Sequence, residues 1–276
     1  NARFVWNHCL ELRNKAYKEN KISYNYVLLS KQITKWKHNE FPWLANSASS
    51  TLTQVLIDQD KAFQNFFRRV KAGQKPGYPK FKSRYARQSI RYELNQSQIA
   101  RIYQAGKLLK LPKLGAVKIH WSQAPTSIPK MVTVSKTPDG CYFIAFSCEV
   151  KIQPLPITRK TVGLDLGIKD VVVSWDGTHA IKSGNPHHLK NRLKHLKRQQ
   201  RRLSRMKNGS NRRHKQRVKV AKIHAHIAAA RSDFLHKTTT AIMHSADIIK
   251  LEDLNVAGML KNHHLAGAIA DVGIRE

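Results

Sequence analysis

The chain has 276 residues, 41% of them apolar, with 50 Lys and Arg against 17 Asp and Glu, a formal charge of +33. At about 100–200 residues per domain, this length suits two domains or so with true hydrophobic cores. No apolar run approaches the ~18 residues needed to cross a bilayer, so a membrane-spanning protein is excluded as an expectation. Charge of this size opposes a compact state unless an anion neutralises it. Nucleic acid is the expected partner, although a basic ribosomal or chromatin-type protein has the same composition. Cys9, Cys141 and Cys148 form no CxxC pair, so neither a disulfide framework nor a zinc ribbon is written here. With no secretory or transit pattern at the N-terminus, an intracellular, reducing setting is expected. The first residue is Asn and the chain opens inside an amphipathic pattern, which points to a partial protein.

Helical spacing of Val5, Cys9, Leu12 and Ala16 predicts a helix over 1–20. Ser23 is the expected cap of a second helix with Tyr24, Val27, Leu28 and Ile33 on its apolar side. After a turn at Phe41-Pro42-Trp43, a third helix is expected from about Ala48 to Ala72, its stripe formed by Leu52, Val55, Leu56, Phe63, Phe66 or Phe67, and Val70. The aromatics of this region suit a core; Tyr24 and Trp36 also suit stacking on nucleobases.

The stretch Gly73-Gln74-Lys75-Pro76-Gly77-Tyr78-Pro79-Lys80-Phe81-Lys82-Ser83-Arg84 cannot be regular structure. Its alternating cations and rings suit a phosphate backbone with stacked bases, with Lys75, Lys80, Lys82 and Arg84 as the contacts; a solvated linker has the same composition. The periodicity then becomes two. Strands are expected at Ser89–Leu94, Gln98–Tyr103, Lys107–Leu111, Val117–Trp121, Met131–Thr137 and Cys141–Ile152. Pro138-Asp139-Gly140 signals a hairpin, and the series suggests a small antiparallel barrel or sandwich.

Beyond Pro154-Leu155-Pro156 comes Thr161-Val162-Gly163-Leu164-Asp165-Leu166-Gly167-Ile168-Lys169-Asp170. As a strand, it points Val162, Leu164, Leu166 and Ile168 to one face. The opposite face holds Asp165 between two glycines, with room for a metal ion and a phosphate; an edge-strand Asp flanked by bulge glycines is the other reading. The strand is expected to reach Val173 and return after Asp176-Gly177-Thr178. A basic helix follows from His188 to Met206 with Leu189, Leu193, Leu196 and Leu203 on one side. Lys207 to Ser210 breaks it, and a longer helix over 211–245 carries Val220, Ile223, Ile227, Phe234 and Ala241.

No Asp or Glu lies between Asp176 and Asp233. Exposed helices ordinarily mix signs to gain i,i+4 pairs, so this hairpin is short of internal counterions. Arg198, Arg201, Arg202, Arg205, Lys215 and Lys222 are its expected phosphate contacts. A strand over 247–254 ends in the adjacent carboxylates Glu252 and Asp253.

Cleavage of phosphodiesters by divalent ions needs clustered carboxylates. Asp165 and one of Glu252 or Asp253 would supply two, and alternation alone does not choose between the latter. His224 and His226 lie about 200° apart on one helix and cannot share a metal. His187-His188 and His263-His264 read as loop pairs facing solvent or phosphate, and Cys141 and Cys148 as buried thiols on opposite faces of a strand.

GLDLGIKD, the basic hairpin ending near RSDFLHKTTT, and IIKLEDLNVAGM together resemble the TnpB (OrfB-type) proteins of bacterial insertion sequences. RFVWNHCLELR, FPWL, AFQNFFRRVKAG and GYPKFKSR are similar to the same family, so the likeness covers nearly the whole chain. The family comprises RNA-guided DNA endonucleases related to compact type V CRISPR nucleases. The resemblance implies an α+β multidomain protein: a helical recognition domain over 1–73, an antiparallel wedge β-barrel over 74–156 lacking its first strand, and an incomplete RNase H-like (RuvC) α/β domain over 157–276. It matches Asp165 to the first catalytic Asp and Glu252, not Asp253, to the catalytic Glu, both as Mg²⁺ ligands. It further implies a guide RNA, a double-stranded DNA target with a short adjacent motif, no membrane, and a bacterial cytoplasmic, nucleoid-associated setting.

Family members begin with a further β-strand and continue into helix, a four-cysteine zinc ribbon and a third catalytic Asp. Those features are not in this sequence; Asp271 matches the segment before the ribbon and not the third carboxylate. Zinc is therefore expected for full-length members and not for this chain, and the chain as written is expected to be nuclease-deficient or a fragment of an active enzyme. The alternative is a non-cleaving protein that binds guide RNA or DNA.

Overall fold

The computed structural model describes residues 1–94 and 108–274 and shows a mixed α+β protein. It divides into two compact units, Asn1–Thr137 with Cys141–Lys151, and Pro138–Gly140 with Ile152–Glu276.

In the first unit, helices α1 (Ala2–Asn20), α2 (Tyr26–His38) and α3 (Ser49–Lys71) follow the expected periodicity, and a 3-10 turn over Pro42–Asn46 joins the last two. Their core is Val5, Cys9, Leu29, Ile33, Trp36, Leu44, Leu52 and Leu56. The cap of α2 is Asn25, whose side chain accepts from the Leu28 N–H at 3.0 Å, rather than Ser23. Of the adjacent apolar pair Leu28 and Leu29, only one can face inward, and Leu29 packs with Ile33 and Trp36 at helical spacing while Val27 and Leu28 are exposed. Trp36 is 3% exposed and meets His8 and Phe41 edge-on, so it is a core residue with no ring face to offer a base. Buried Gln59 of α3 donates to the Trp6 carbonyl at 2.9 Å, and Arg13 pairs with Asp60, tying α1 to α3. At the distal end of the α3 stripe Phe66, not the more exposed Phe67, takes the expected place and meets Tyr78, while Val70 departs from expectation, half exposed.

Strands β1 (Gln88–Glu93), β4 (Met131–Lys136) and β5 (Tyr142–Ser147) form one antiparallel sheet in the order β1-β4-β5, and β2 (Leu108–Leu111) pairs with β3 (Gly115–Lys118). The 138–140 hairpin is as expected, whereas β5 stops at Ser147 and β3 at Lys118, earlier than the alternation suggested. The expected strand at Gln98–Tyr103 lies outside the described residues. Among the described residues no ladder joins the two sheets, so a closed barrel is not formed; Tyr92, Leu94, Leu109, Leu111 and Val132 pack instead with Ala48. The thiols are also corrected. Cys141 precedes β5 and is exposed, Cys148 is half-buried with its thiol donating to the Ser127 carbonyl at 3.4 Å, and Cys9 alone is fully buried.

In the second unit, β6 (Thr161–Asp165), β7 (Val173–Trp175), β8 (Ala180–Lys182) and β9 (Ile248–Leu251) lie in the order β8-β7-β6-β9. The first three are antiparallel neighbours in sequence, and β9 adds parallel to β6 on its other side. The strand does not run on to Val173. Gly167 turns the chain, its N–H donating to the Val171 carbonyl at 3.3 Å, and a Cβ there would stand 2.7 Å from the Asp170 carbonyl oxygen. That glycine serves the turn. Val162 is buried, while Leu164 and Leu166 pack on Val171, Val172 and Val272 with Phe234 and Ile242.

Helices α4 (His188–Ser204) and α5 (Asn211–Ser245) form the basic hairpin, closed on Leu196, Val220 and Ile227. Ile242 rather than exposed Ala241 completes the apolar side of α5. Short helices α6 (Val256–Met259) and α7 (Ala266–Val272) end the described chain. No helix among the described residues is long and apolar enough to cross a membrane.

Candidate metal and nucleic-acid site

The parallel pairing of β6 with β9 aligns Leu164 with Leu251. Asp165, the last residue of β6, and Glu252, the first after β9, therefore stand side by side at the carboxyl ends of two neighbouring strands, where open α/β sheets commonly bind ligands. Both line one open concavity of about 340 Å³, together with Gly163, Leu164, Val173, Trp175, Lys250 and Leu251. Asp253 is not among its lining.

A clamp at the opposite end holds this register. The Asp247 carboxylate accepts from the backbone N–H groups of Thr158 and Arg159 at 3.0 and 2.5 Å and from the Thr158 hydroxyl at 3.0 Å. Those backbone donors hold its carboxyl below the usual range. The Asp247 N–H in turn donates to the Lys160 carbonyl. The start of β9 is thus tied to the residues that lead into β6.

The donor set is two carboxylates with no thiol or imidazole, which suits a hard divalent cation such as Mg²⁺ over a soft one. Among the described residues, no three His, Cys, Asp or Glu side chains are grouped for metal binding.

Arg198, Arg201, Arg202, Arg205, Lys215 and Lys222 are all exposed on the hairpin, with its apolar residues inside. Buried Gln216 donates to both the carbonyl and the side-chain oxygen of Gln199. Arg213 caps the C-terminal end of α4 by donating to the Leu203 and Met206 carbonyls at 2.7 and 3.0 Å. At the other end of α4, Asp271 of α7 is 6% exposed and accepts from the Leu189 and Lys190 N–H groups at 2.7 and 3.2 Å. It serves as that helix's N-cap from a distant part of the chain. His187 and His188 are half-buried at this junction rather than solvated in a loop, and the His188 ring meets Phe234. His226 Nε2 lies 3.2 Å from Arg192 across the hairpin.

In the first unit, the Gly73–Arg84 stretch is pinned along α1. Trp6 Nε1 donates to the Lys80 carbonyl, the Asn7 side chain both donates to and accepts from the Lys82 backbone, and Tyr78 donates to Asn14. Lys75, Lys80 and Arg84 are exposed, and Arg84 donates to the Tyr85 hydroxyl. The Lys82 ammonium lies 3.8 Å from the centre of the Trp6 ring, and burial lowers its pKa. It contributes to holding the strap. Tyr24 packs, half-buried, on the helical core.

Sequence reasoning missed Trp175, Lys250 and the capping role of Asp271. The first two become visible only once β7 and β9 are paired on either side of β6; for Asp271, the one available signal was an α4 first turn without an acidic residue.

Residues 143–263 match a family model described as "Probable transposase", and residues 1–21, which span α1, match one described as "Helix-turn-helix domain". A protein of Streptomyces pristinaespiralis named "Putative RNA-guided DNA endonuclease" is 35% identical over 278 residues, covering 100% of this chain and 66% of its own length. Escherichia coli (strain K12) has a relative with the same name and the suffix InsQ, 34% identical over 274 residues, covering 99% of this chain and 64% of that one. A Mycobacterium tuberculosis protein, also so named, is 33% identical over 118 residues, or 42% of this chain and 25% of its own. The chain thus spans just under two thirds of the length of the first two relatives.

Proposed function

Because this chain belongs to the OrfB (IS605) transposase family, we propose that it carries the metal-binding half-site and nucleic-acid cradle of an RNA-guided DNA endonuclease. The observation that carries the reading is the convergence of Asp165 and Glu252 on one concavity at the ends of adjacent parallel strands. A sheet of three antiparallel strands with a fourth added parallel beside the first supports an RNase H-like domain over 157–276. The helical region over 1–73 is assigned to recognition and the strands of 74–156 to the wedge.

Asp165 and Glu252 would hold Mg²⁺ through carboxylate oxygens. When bound, the ion supplies charge for the attacking and leaving oxygens of a phosphodiester displacement. The chain's own residues orient that reaction: the Asp247 clamp keeps the two carboxylates in register, and the hairpin cations hold phosphates. Guide RNA and a DNA target with a short adjacent motif are the proposed partners, the sequence being read by base pairing.

The test is cleavage by this chain, continued to the length of its relatives, charged with guide RNA and target DNA in Mg²⁺. Asp165→Ala and Glu252→Ala are each expected to abolish cutting while leaving RNA binding intact. Undiminished cutting by Asp165→Ala refutes the assignment.

A second reading, a protein that binds guide RNA or DNA without cleaving, draws on the +33 charge and the acid-free stretch between Asp176 and Asp233. It predicts steeply salt-dependent binding and no Mg²⁺ affinity that depends on Asp165 and Glu252.

A further inference from the structure

The register of the second sheet places Gly163 of β6 opposite Trp175 of β7 on one side and opposite Lys250 of β9 on the other. Paired residues share a face, and Asp165, two residues beyond Gly163, shares it too. Trp175, Gly163 and Lys250 therefore form a row across the sheet that leads to the carboxylate pair, and all belong to the same concavity.

The glycine in that row is not required by the fold. Gly163 is not among the positive-φ glycines. The nearest atom to a Cβ built on it is the Trp175 carbonyl oxygen at 4.0 Å, ordinary van der Waals contact. An indole covering a cross-strand glycine is the usual structural use of such a pair. Here no ring atom comes within 4 Å of that position, and Trp175 is 50% exposed. The result is a bare floor between an open aromatic wall and an exposed cation. At the usual ~4.8 Å between strands, the Trp175 and Lys250 backbones stand about 10 Å apart.

An aromatic face, a cation and a floor without side chains, ending at two carboxylates, match one chemistry. A nucleobase stacks on a ring, its phosphate meets an ammonium, and the next phosphate arrives at the acidic pair. In duplex DNA the base faces are already stacked, so a single strand is favoured.

We propose that Gly163, Trp175 and Lys250 seat one nucleotide of single-stranded DNA next to the Asp165–Glu252 pair. This rests on the reading of that pair as the metal site. Trp175 stacks on the base, Lys250 contacts a phosphate oxygen, and Gly163 leaves the sugar room to lie flat. All three are positioning residues; Asp165 and Glu252 remain the proposed ligands.

The test uses the whole chain without divalent metal and a single-stranded deoxyoligonucleotide bearing one 5-iododeoxyuridine. Photo-crosslinking is expected to map to Trp175. Trp175→Ala should weaken binding about tenfold, a typical loss for one stacked base, and Trp175→Phe should restore most of it. Gly163→Ala should fold as the parent does, since its methyl has space, yet weaken binding by filling the floor. Lys250→Ala should lower the salt slope by about 0.7, the value for one phosphate of a single strand. Parental affinity in both Trp175→Ala and Gly163→Ala, with crosslinks confined to other residues, overturns the proposal.

Failure of the parent reading looks different. If Asp165→Ala cuts normally while the Trp175 crosslink persists, the metal assignment falls and the seat stands. If cutting depends on Asp165 but is indifferent to Trp175 and Gly163, the seat falls alone.

Discussion

Asp271→Ala removes the acceptor that closes the first turn of α4, a helix with no acidic residue of its own there. Loss of an N-cap costs about 0.5–2 kcal/mol, and a buried N–H left without a partner costs about 1–3 kcal/mol. Asp271 serves two N–H groups, one at 2.7 Å and one at 3.2 Å, and places negative charge at the positive end of the helix, worth about 0.3–1 kcal/mol. Removing a carboxylate that is 6% exposed also relieves a desolvation cost, which offsets part of this sum. The expected net loss is about 2–3 kcal/mol, or about 8–12 °C in the midpoint of the second unit. Asp271→Asn keeps one acceptor and should lose about half as much. Thermal unfolding followed by circular dichroism measures the shift, and amide hydrogen exchange locates it at Leu189 and Lys190. A parental midpoint in Asp271→Ala, with both amides still protected, would refute the capping role.

Asp247 and Asp176 both have carboxyl pKa values held down by backbone N–H donors, Asp176 at about 2. A carboxyl depressed on folding stabilises above its ordinary pKa of 3.8, and that contribution disappears as pH falls from 3.8 toward about 2. Asp247→Asn should therefore flatten the upper part of the acid-unfolding curve and loosen the start of β9, seen as faster exchange of the Ile248 amide; an unchanged acid limb counts against the clamp. The Cys9 thiol is pushed up to about 12 by burial, so iodoacetamide at neutral pH should label Cys141 first, Cys148 more slowly, and Cys9 only on unfolding, as peptide mass mapping would show. In the hairpin, the double change Arg201→Ala with Arg202→Ala should lower the log-log salt slope of duplex binding by about 0.9 for each phosphate that is no longer neutralised. Fluorescence anisotropy over a salt series reads that slope, and no change places the phosphates elsewhere.

Much of the fold was legible because its causes are short-range. The 3.6-residue period at Val5 and Cys9 and at Val220 and Ile227 marks the buried faces of α1 and α5. The Pro138-Asp139-Gly140 turn marks the β4–β5 hairpin, and the stretch without acids marks the cationic face. Errors arose where local patterns were degenerate. Leu28 and Leu29 lie about 100° apart on the helix, so either can border the apolar side, and only packing with Val5 and Leu52 selects Leu29. Alternation through Ile168 reads as continuous strand, although the chain turns at Gly167, whose N–H donates to the Val171 carbonyl and where a Cβ would meet the Asp170 carbonyl. Trp36 suits a core first and a stacking platform second, and its neighbours His8 and Phe41 decide for the core.

By itself, then, the sequence determined the helices, the cationic hairpin, and a strand carrying an Asp between glycines. Backbone sterics and the amphipathic period act over a few residues and need no distant partner. The family resemblance names Glu252 as the partner of Asp165; tertiary structure alone decided that Trp175 and Lys250 would flank Gly163, and that Asp271 would cap α4. Each depends on strands and helices brought together across long intervening segments, where loop closure is weakly specific. The Asp247 clamp and the burial of Val171, Val172 and Val272 select one register from many.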